Sequence, residues 1–476
     1  MNPIFLTGEK TFIKDIIHDS IELTPIAKTI IDTPIFQRLR NLHQLGVCYL
    51  IFPNANNNRF EHSIGTYHLA GLMVDRLVKN SSHLEINKGL IEVKFIKDYL
   101  LKHFELEDSD DSICFLEKIN TVLLDDYLIE LIKIAGLIHD IGHGPFSHLF
   151  DEWIGSKPSV SHSILAEHES RSVLLFKQII SGRKIKFRDE EYYLHDFIDD
   201  KAFEFISELV NPTSDTPKNF IFQIVSNSLN GLDVDKLDYL YRDSFYLGSG
   251  TPYDLSRVIS HIQVLNKNIC FPEKISYDIY KVFRSRYDLH KQFYTHKTTI
   301  CIEYMIRDIL ENLDPILKIT ESIQTEQIDK FIGWVDSTIL NTASVIKNFE
   351  PVYSIWNKQI DTIEQIIDRI NNRDLYRCIY GETFYTNEYV SPSQLFDNFK
   401  INLGVNNQDI DINFQDPNII IVRLKIGLLG GDKSHPLDTV YFYNSCNKSL
   451  LLDKSKISHL MSSLHQEIIY YVVYKK

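Results

Sequence analysis

The sequence predicts a mainly α-helical protein that ends in a smaller lobe of mixed α and β structure. From Pro25 to about Asn312, apolar residues recur at three-and-four spacing, the period of a helix with one buried face. Towards the carboxyl end, β-branched and aromatic runs alternate with turn residues instead. With 476 residues, of which 44% are hydrophobic, the chain can bury a large core.

The helical core is predicted to span residues 1–318. Its clearest helix pattern lies in PIAKTIIDTPIFQRLRNLHQLG, and LIELIKIAGLIHD and ESRSVLLFKQII repeat it. Segments such as FPNANNNRF and GHGPFS contain the Asn, Gly and Pro residues that end helices. Residues 84–126 are charged and irregular in pattern, with DSDDS at their middle, and are predicted to form a surface insertion between two helices.

The carboxyl-terminal α+β lobe is predicted to span residues 319–476 and to pack on the helical core. Two helical stretches, TESIQTEQIDKFIGWV and IDTIEQIIDRI, precede its strands. The runs PNIIIVRLKIGLL and DTVYFYN, separated by GGDKSHP, predict a β-hairpin. The closing segment SKISHLMSSLHQEIIYYVVYKK is predicted to be a helix, with a last strand as the alternative for its end.

Charge and cysteine usage bound the class of protein. The formal net charge of −14 argues against a surface that binds nucleic-acid backbone, so nucleic acid is not expected as the main partner. The six cysteines are scattered, which fits a reducing compartment. The first residues lack a signal-peptide layout, and no apolar run approaches the roughly 20 residues of a membrane span. We expect a cytoplasmic protein without a membrane partner.

Four segments collect His and Asp residues that a helical core has little reason to hold: NNNRFEHSIG, GLIHDIGHGPFSH, AEHES and GLDVDKLDYL. In the second, His139 and Asp140 follow an apolar run, and glycines and a proline then break the helix. Adjacent helical residues point about 100° apart, so they share one ion only in a crevice that distant ligands close. His62 and Asp235 are the candidates for those ligands.

Two imidazoles and two carboxylates make a mixed nitrogen and oxygen shell that suits Fe, Mn, Zn or, with waters, Mg. The alternative is that each residue is structural, since a lone His-Asp pair or a single histidine such as His62 is more often a hydrogen-bonded structural element. The order of all four segments together favours a metal site.

Together with their flanking sequence, these segments resemble the HD-superfamily dNTP triphosphohydrolases. This family includes the bacterial dGTPase-like enzymes and the animal enzyme that couples a sterile-alpha-motif domain to an HD domain. The matching strings are IHDSIEL, IIDTPIFQRLRNLHQLG, FPNANNNRFEHSIGTYHLA, AGLIHDIGHGPFSHLFD, NGLDVDKLDYLYRD, SRYDLHKQFYTHK, HPLDTVYFYN and the final VYKK. Of these two branches, the strings are more similar to the catalytic region of the animal enzyme, and the sterile-alpha-motif domain has no counterpart in these residues.

The resemblance implies a helical HD-domain phosphohydrolase core that cuts a dNTP into deoxynucleoside and inorganic triphosphate. The metal ligands it implies are His62, His139, Asp140 and Asp235. The catalytic cluster it implies is His143, Asp151 and His168, with His148 facing phosphate. The substrate contacts it implies are Gln44, Leu45, Arg59, Lys236, Tyr239, Asp243, Arg286, His290 and Tyr294.

The chemistry of this reaction assigns roles to these residues. A divalent metal ion, with a second Mg on the substrate phosphates as a further expectation, activates water and polarises the α-phosphate. An alkoxide is a poor leaving group, so a general acid is needed, and we assign His168 to that role with Asp151 and His143 orienting it. Arg59, Lys236 and Arg286 would neutralise phosphate charge.

Sugar selection is assigned to Tyr294 and Leu45, which would close tightly under the ring and disfavour a 2′-hydroxyl, while Gln44 would bind the 3′-hydroxyl. The structural alternatives are that Arg59 and Arg286 form ordinary salt bridges and that Tyr294 and Leu45 belong to the core. A further set of histidines carries no motif and is assigned structural or surface roles: His18, His43, His68, His103, His162 and His195.

The resemblance also implies a homo-oligomer, with a tetramer favoured, and activation by a dNTP or GTP effector bound between subunits. Positions similar to parts of such effector sites are Asp32, Gln37, Arg40, Phe52, Arg257, Arg373 and Arg377. Four other positions depart from the relative's residues, several of which are basic there: Thr11, Lys14, Pro272 and Gln292. These departures leave the effector's identity open.

Two other functions compete with dNTP hydrolysis. The first is an HD phosphohydrolase or phosphodiesterase acting on another nucleotide, although the extended GYP sequence of cyclic-dinucleotide enzymes does not follow the HD pair. The second is a non-catalytic HD module that binds nucleotides or nucleic acid. The complete set of metal and catalytic candidates and the net charge of −14 disfavour the module.

Overall fold

The computed structural model describes most of the chain. The described residues are 8–160, 163–187, 190–384, 390–391, 394–395, 398, 416–429, 431, 434–462 and 464–475. His162 lies outside them, so the role assigned to it stays a prediction.

Helices dominate the fold, as predicted. The helices up to residue 318 are α1 (Pro25–Ile31), α2 (Pro34–Gln37), α3 (Arg59–Asn80), α4 (His83–Leu90), α5 (Lys94–His103), α6 (Asp110–Lys118), α7 (Asp126–Ile138), α8 (His148–Gly155), α9 (His168–Gly182), α10 (Asp200–Val210), α11 (Val234–Tyr246), α12 (Leu255–Ser260), α13 (Ser276–Leu289) and α14 (Lys297–Leu317). Those after it are α15 (Ile319–Gln324), α16 (Ile328–Phe331), α17 (Asp336–Lys347), α18 (Glu350–Asn371) and α19 (Lys454–Ile457).

Eleven strands form four small sheets within the described residues. The strands are β1 (Thr11–Asp15), β2 (Asp19–Leu23), β3 (Lys184–Phe187), β4 (Glu190–Tyr193), β5 (Gln263–Leu265), β6 (Asn268–Pro272), β7 (Arg377–Phe384), β8 (Ile419–Gly427), β9 (Tyr441–Tyr443), β10 (Ser449–Leu451) and β11 (Gln466–Tyr474). The pairs β1-β2 and β3-β4 are two-stranded, and the larger sheets have the orders β10-β9-β6-β5 and β7-β11-β8. All pairings are antiparallel except that of β6 with β9.

The predicted hairpin between the runs at 417–429 and 438–444 is wrong. Strand β8 pairs with β11, whereas β9 pairs with β6 and β10, so the two runs belong to different sheets. The lobe does contain a hairpin, formed by β9 and β10. The closing segment was predicted mainly as a helix, but it holds one helical turn, α19, and then β11. Its run of β-branched and aromatic residues, IIYYVVY, favours the strand, because such side chains pack well on a sheet.

Residues 84–126 are not irregular, contrary to the sequence prediction. They form helices α4, α5 and α6, and each helix buries an apolar face, with Ile86, Ile96 and Leu116 fully inaccessible. The charged residues lie on the opposite faces, and this amphipathic arrangement explains the polar appearance of the sequence. The interpretation of this stretch as an insertion stays a prediction.

One continuous apolar core joins the two predicted domains. It includes Ile21 and Phe36 near the amino end, Leu137 at the centre and Val473 in the last strand. Helix α14 ends where Lys318 adopts a left-handed conformation, with φ 55°, so the chain turns at the predicted boundary. The division into two domains at this point stays a prediction.

Long helix α3 lies at the centre and positions the site. It packs against α7 and α11, and Thr66 on α3 donates a hydrogen bond of 2.8 Å to the carbonyl oxygen of Gly136 on α7. Among the helices that the structure describes, we find none with the length and apolar character needed to span a membrane.

Candidate active site

Helix α7 delivers the His139-Asp140 pair to the end of the apolar core. The helix starts where the Asp125 side chain accepts a hydrogen bond from the Leu128 amide, and most of its apolar residues, up to Ile138, are buried. The Nδ1 atom of His139 lies 2.8 Å from the carbonyl oxygen of Gly136. A carbonyl only accepts, so Nδ1 carries the proton and Nε2 presents its lone pair to the site.

Helices α3 and α11 bring the distant candidates to the same point. His62 Nε2 lies 3.1 Å from Asp235 Oδ1 and 3.3 Å from His139 Nε2. The oxygens of Asp140 lie 3.5 Å from His62 Nε2 and 3.4 Å from His139 Nε2. The ligand atoms of His62, His139 and Asp235 therefore lie within 4.8 Å of one another, and Asp140 lies beside the two histidines, although the residues come from three separate helical regions.

These separations fit a shared cation. Ligand atoms that each lie about 2.0–2.2 Å from one ion are separated from one another by roughly 3–3.5 Å. Burial by itself would lower the pKa of His62, but the surrounding carboxylates raise it to about 10. Burial would raise the pKa of Asp235, but the two imidazoles hold it well below its usual value. The carboxylates of the cluster thus favour positive charge, and its nitrogen and oxygen donors suit a divalent metal ion.

A second cluster lies beside the first and contains the predicted catalytic residues. His168, the first residue of α9, places Nδ1 2.9 Å from Asp151 Oδ2 on α8. The ring of His143 stacks on that of His168 with 3.7 Å between centroids, and His148 lies 5.0 Å from His143. Burial, followed by the nearby Arg59 and His168, holds the pKa of His143 well below its usual value.

The turn between α7 and α8 shapes this second cluster. Phe146 and Ser147 both have φ 59°, a left-handed backbone that is strained for residues other than glycine. The Phe146 amide donates a 2.7 Å hydrogen bond to Asp336 on α17, and Ser147 accepts a 3.0 Å hydrogen bond from Arg59 Nε. Contacts from α3 and from the carboxyl-terminal part thus hold the strained turn in place.

A cavity of about 640 Å³ opens beside both clusters. It is lined by all nine residues predicted to contact substrate, and by Asp140, Asp235, His143, His148 and His168. Within the described residues, the buried atoms Arg59 Nη2 and Gln44 Oε1 have no hydrogen-bond partner. Buried polar atoms are rarely left unpaired, so both are available to a ligand.

Tyr294 and Asp243 form the far side of this cavity. The Tyr294 hydroxyl donates a 2.6 Å hydrogen bond to Asp243 Oδ2, and Asn57 donates one of 2.8 Å to Asp243 Oδ1. Burial raises the pKa of Asp243 to about 6 despite these bonds. Tyr294 ends a π-helical turn, His290–Tyr294, which continues α13. The side chains of His290 and Tyr294 both line the cavity.

The alternative that Arg59 and Arg286 are ordinary salt-bridge residues holds in part for Arg59. Its Nη1 atom pairs with Asp140, so it is an ion-pair partner of a metal-ligand candidate as well as a cavity residue. Arg286 instead donates a 2.7 Å hydrogen bond to the carbonyl oxygen of Gly427 in β8. The roles of both residues towards substrate stay predictions.

Sequence reasoning missed several residues of the site. His18 was assigned no functional role, yet its side chain is nearly inaccessible and is hydrogen-bonded to Asp238 behind the metal-ligand cluster. Arg171 pairs with Asp151 and donates a 2.8 Å hydrogen bond to the carbonyl oxygen of Gly142. His18 and Asp238 lie inside the strings IHDSIEL and NGLDVDKLDYLYRD, so the resemblance marked their segments but not these residues.

Strand β8 adds Arg423 and Lys425 to the cavity lining, which no sequence pattern predicted. Both are exposed side chains of a strand whose register follows from its pairing with β11. Their two positively charged side chains line the part of the cavity that β8 forms.

The predicted effector positions are distributed over several elements. Gln37 donates a 2.9 Å hydrogen bond to the carbonyl oxygen of Ile31 and accepts one of 2.9 Å from Arg40, so it lies close to the predicted position Asp32 at the end of α1. The other four are Phe52, which contacts the ring of Phe293 edge-on; Arg257, paired with Asp278; Arg373; and Arg377 at the start of β7. Their role in effector binding stays a prediction.

Comparison with known proteins agrees with this geometry. The chain is 35% identical over 475 residues to an HD domain-containing protein of Acanthamoeba polyphaga mimivirus, covering 96% of this chain and 91% of that protein. It is 34% identical to a deoxynucleoside triphosphate triphosphohydrolase SAMHD1 homolog of Dictyostelium discoideum, covering 96% of this chain and 75% of that protein. Against human deoxynucleoside triphosphate triphosphohydrolase SAMHD1 the identity is 30%, covering 98% and 70%.

The chain matches no family model. The matches to individual proteins nevertheless extend over nearly its whole length, so they include both histidine and aspartate clusters and the carboxyl-terminal strands. On these grounds the chain belongs to the SAMHD1-type family of HD-domain deoxynucleoside triphosphate triphosphohydrolases.

Proposed function

We propose that this protein hydrolyses deoxynucleoside triphosphates to deoxynucleoside and inorganic triphosphate in a metal-dependent reaction. The observation that carries the proposal is the convergence of His62, His139, Asp140 and Asp235 beside a cavity lined by the expected substrate contacts. The relatives named above as triphosphohydrolases support the same activity.

The metal-ligand cluster would hold one divalent ion through the two Nε2 atoms and the two carboxylates. At such a site a bound divalent ion supplies a more acidic water and neutralises phosphate charge. We propose Fe, Mn, Zn or Mg as the ion, because a mixed nitrogen and oxygen shell accepts each of them. A second Mg on the substrate phosphates is a further part of the proposal.

The cations of the cavity bind the triphosphate. Arg59 has a free Nη2 atom, and Lys236 and Arg286 line the same cavity. Arginine can bridge two phosphate oxygens, and charged hydrogen bonds of this kind are about twice as strong as neutral ones. We assign these three residues to the phosphates.

His168 protonates the 5′ oxygen of the sugar as the bond to the α-phosphorus breaks. Asp151 accepts the hydrogen bond from His168 Nδ1, so Nε2 is left to carry and release the transferred proton. His143 stacks on His168 and fixes the plane of its ring. His148 lines the cavity and faces the phosphates.

Tyr294 and Leu45 hold the sugar, and Gln44 binds the 3′-hydroxyl through its unpaired Oε1 atom. Because the Tyr294 hydroxyl donates a hydrogen bond to Asp243, the tyrosine ring cannot easily move to accommodate a 2′-hydroxyl. A group that meets apolar atoms or lacks a partner is disfavoured, so ribonucleotides bind less well.

The test is a chromatographic product screen. All dNTPs and NTPs, alone and in pairs, are incubated with Mn, Mg or Fe. Deoxynucleoside plus triphosphate is the expected outcome, and the same screen determines which base is preferred and whether the enzyme is dGTPase-like. Monophosphate plus pyrophosphate would point to a different phosphohydrolase, and no turnover with any metal would point to a binding module.

We further propose a homo-oligomer, with a tetramer favoured, that a dNTP or GTP effector stabilises. Val345, Phe349 and Ile355 are 62–70% exposed on or beside α17 and α18, and burying such apolar side chains between subunits would stabilise an oligomer. Light scattering with and without dGTP or dATP tests this, and a fully active monomer would contradict it.

A cytoplasmic location fits the six free cysteines, all of which are described.

A further inference from the structure

A hairpin from the amino end of the chain closes the rear of the metal-ligand cluster. The turn between β1 and β2 carries His18, whose side chain is only 5% exposed. Its Nε2 atom lies 2.6 Å from Asp238 Oδ1, although the two residues are 220 positions apart in the sequence. The contact joins the hairpin directly to helix α11.

Asp238 lies between His18 and the metal-ligand candidate His62. Its Oδ2 atom lies 2.8 Å from His62 Nδ1, and its side chain is fully buried. Arg242, one turn further along α11, donates a 2.9 Å hydrogen bond to Oδ2 and one of 3.0 Å to Oδ1. Each oxygen of Asp238 thus accepts two hydrogen bonds, which fills its coordination.

Asp15 completes this buried network and sets the shape of the turn. Its carboxylate accepts hydrogen bonds of 2.8 Å from the amides of Ile17 and His18 and one of 2.9 Å from Arg242 Nη1. The same side chain therefore fixes both the hairpin backbone that presents His18 and the guanidinium that holds Asp238.

We infer that Asp238 and His18 are positioning residues for the metal ligand His62. The inference rests on the metal site of the proposed function. An ionised carboxylate only accepts hydrogen bonds, so His62 Nδ1 keeps its proton, and Nε2, which is directed at Asp235 and His139, is the nitrogen left for a metal ion. His18 in turn holds Asp238 in the one orientation that meets His62 Nδ1.

Metal affinity is the property that this arrangement controls. Loss of a hydrogen-bond partner behind a ligating histidine typically weakens metal binding about 10–100-fold, because the ring can rotate and the wrong nitrogen can carry the proton. We therefore expect Asp238→Asn to weaken binding of Mn²⁺ by this factor. His18→Leu should weaken it in the same direction, and His18→Gln, which keeps an N–H donor, should restore much of the affinity.

The experiment titrates Mn²⁺ into metal-stripped protein and follows free Mn²⁺ by its electron paramagnetic resonance signal. Tyr67 lies on α3, the helix of His62, and Tyr67→Phe is the matched control because it removes a buried 2.9 Å hydrogen bond to Glu130 of α7 without changing a ligand candidate. Its Mn²⁺ affinity should equal that of the wild type. Circular dichroism determines whether each variant is folded.

The outcomes distinguish the positioning role of Asp238 and His18 from the metal site on which that role rests. If the wild type binds no Mn²⁺ or other divalent ion, the metal site and the proposed function are wrong. If the wild type binds Mn²⁺ and folded Asp238→Asn and His18→Leu bind it equally well, only the positioning role is wrong. Should Asp238→Asn fail to fold, the comparison of His18→Leu with His18→Gln decides, since equal affinities would overturn the inference.

Discussion

At the scale of single residues, hydrogen bonds decide which atoms of the site are free to react. His139 and His62 each use Nδ1 on a fixed acceptor, so both present Nε2 to the cluster. His168 uses Nδ1 on Asp151 in the same way. Two histidines therefore become suited to bind a cation and a third to transfer a proton, although their side chains are chemically identical.

His168→Gln should lower kcat about 10²–10⁴-fold, the usual contribution of a general acid. Glutamine can accept and donate hydrogen bonds but cannot release a proton at working pH. Metal affinity of the cluster formed by His62, His139, Asp140 and Asp235, measured by titration, should not change, because His168 is not among the ligand candidates of that cluster. The control is His195→Gln, a change at an exposed histidine, which should leave kcat unaltered. A His168→Gln variant with wild-type kcat would exclude the assigned role.

Glu303 should make stability depend on pH. Its carboxyl group lines the cavity, and burial together with the nearby Glu152 raises its pKa from 4.5 to about 8. Between these values the unfolded chain loses a proton that the folded chain keeps, so this group's contribution to stability falls as pH rises through the window. Glu303→Gln removes that loss.

Thermal melts at pH 5 and pH 8.5 measure this effect. The Tm of Glu303→Gln minus that of the wild type should be more positive at pH 8.5 than at pH 5. The exposed Glu204→Gln serves as the control, and its difference should be the same at both pH values. An equal difference for Glu303→Gln at the two pH values would show that the group does not keep its proton.

At the scale of elements, the site depends on close approaches between helices. A Cβ at Gly142 would overlap the carbonyl oxygen of His168 and the amide of Ser172, so only glycine lets the turn after α7 lie against the start of α9. The Gly142 amide also donates a 2.8 Å hydrogen bond to Ser172 Oγ. This approach brings the His139-Asp140 pair and His168 to one cavity.

Gly142→Ala should therefore destabilise the protein by about 1–3 kcal/mol, the usual cost of overpacking a tight contact. It should also lower turnover, because α9 and His168 must move away from the metal-ligand cluster. Gly155→Ala is the matched control, since a Cβ there would meet no atom within 4 Å. Urea unfolding and triphosphate release measure the two effects. Equal behaviour of the two variants would contradict the role given to this contact.

At the scale of the whole molecule, the cavity draws on both parts of the chain. The segment from the turn after α7 through α8, together with α11, supplies much of its lining, and β8 contributes Arg423, Lys425 and Leu424. Asp336 on α17 accepts a hydrogen bond of 2.9 Å from the His43 amide and one of 2.7 Å from the Phe146 amide. The carboxyl-terminal part is thus needed to complete the site, since it lines the cavity and holds the strained turn.

Metal binding should stabilise the whole fold, because its ligands come from α3, α11 and the end of α7. An ion present at 100 times its Kd adds about 2.7 kcal/mol to the free energy of unfolding. Adding Mn²⁺ to metal-stripped protein should therefore raise Tm, and a chelator should reverse the rise. Asp235→Asn should show little of this shift. A wild-type Tm that does not respond to Mn²⁺, Fe²⁺, Zn²⁺ or Mg²⁺ would argue against the metal site.

Much of the fold class and the site's membership could be predicted from the sequence. Helical periodicity predicted the core, and the order of the His and Asp segments predicted the metal-ligand cluster, because local patterns and motif residues are properties of short stretches of chain. The three amphipathic helices of residues 84–126 were not predicted, because the charged residues of their exposed faces dominate the composition of this segment.

Tertiary structure alone decided the contacts between distant segments. Strand β8 could have paired with β9, its neighbour in sequence, but it pairs with β11, and no local pattern specifies the partner of a strand. For the same reason the sequence did not predict the roles of His18 and Asp238. Each lies in an ordinary helix or turn pattern, and only the packing of β1-β2 against α11 brings them behind His62. The sequence by itself determined which groups can react, and packing determined which of them are held in place to do so.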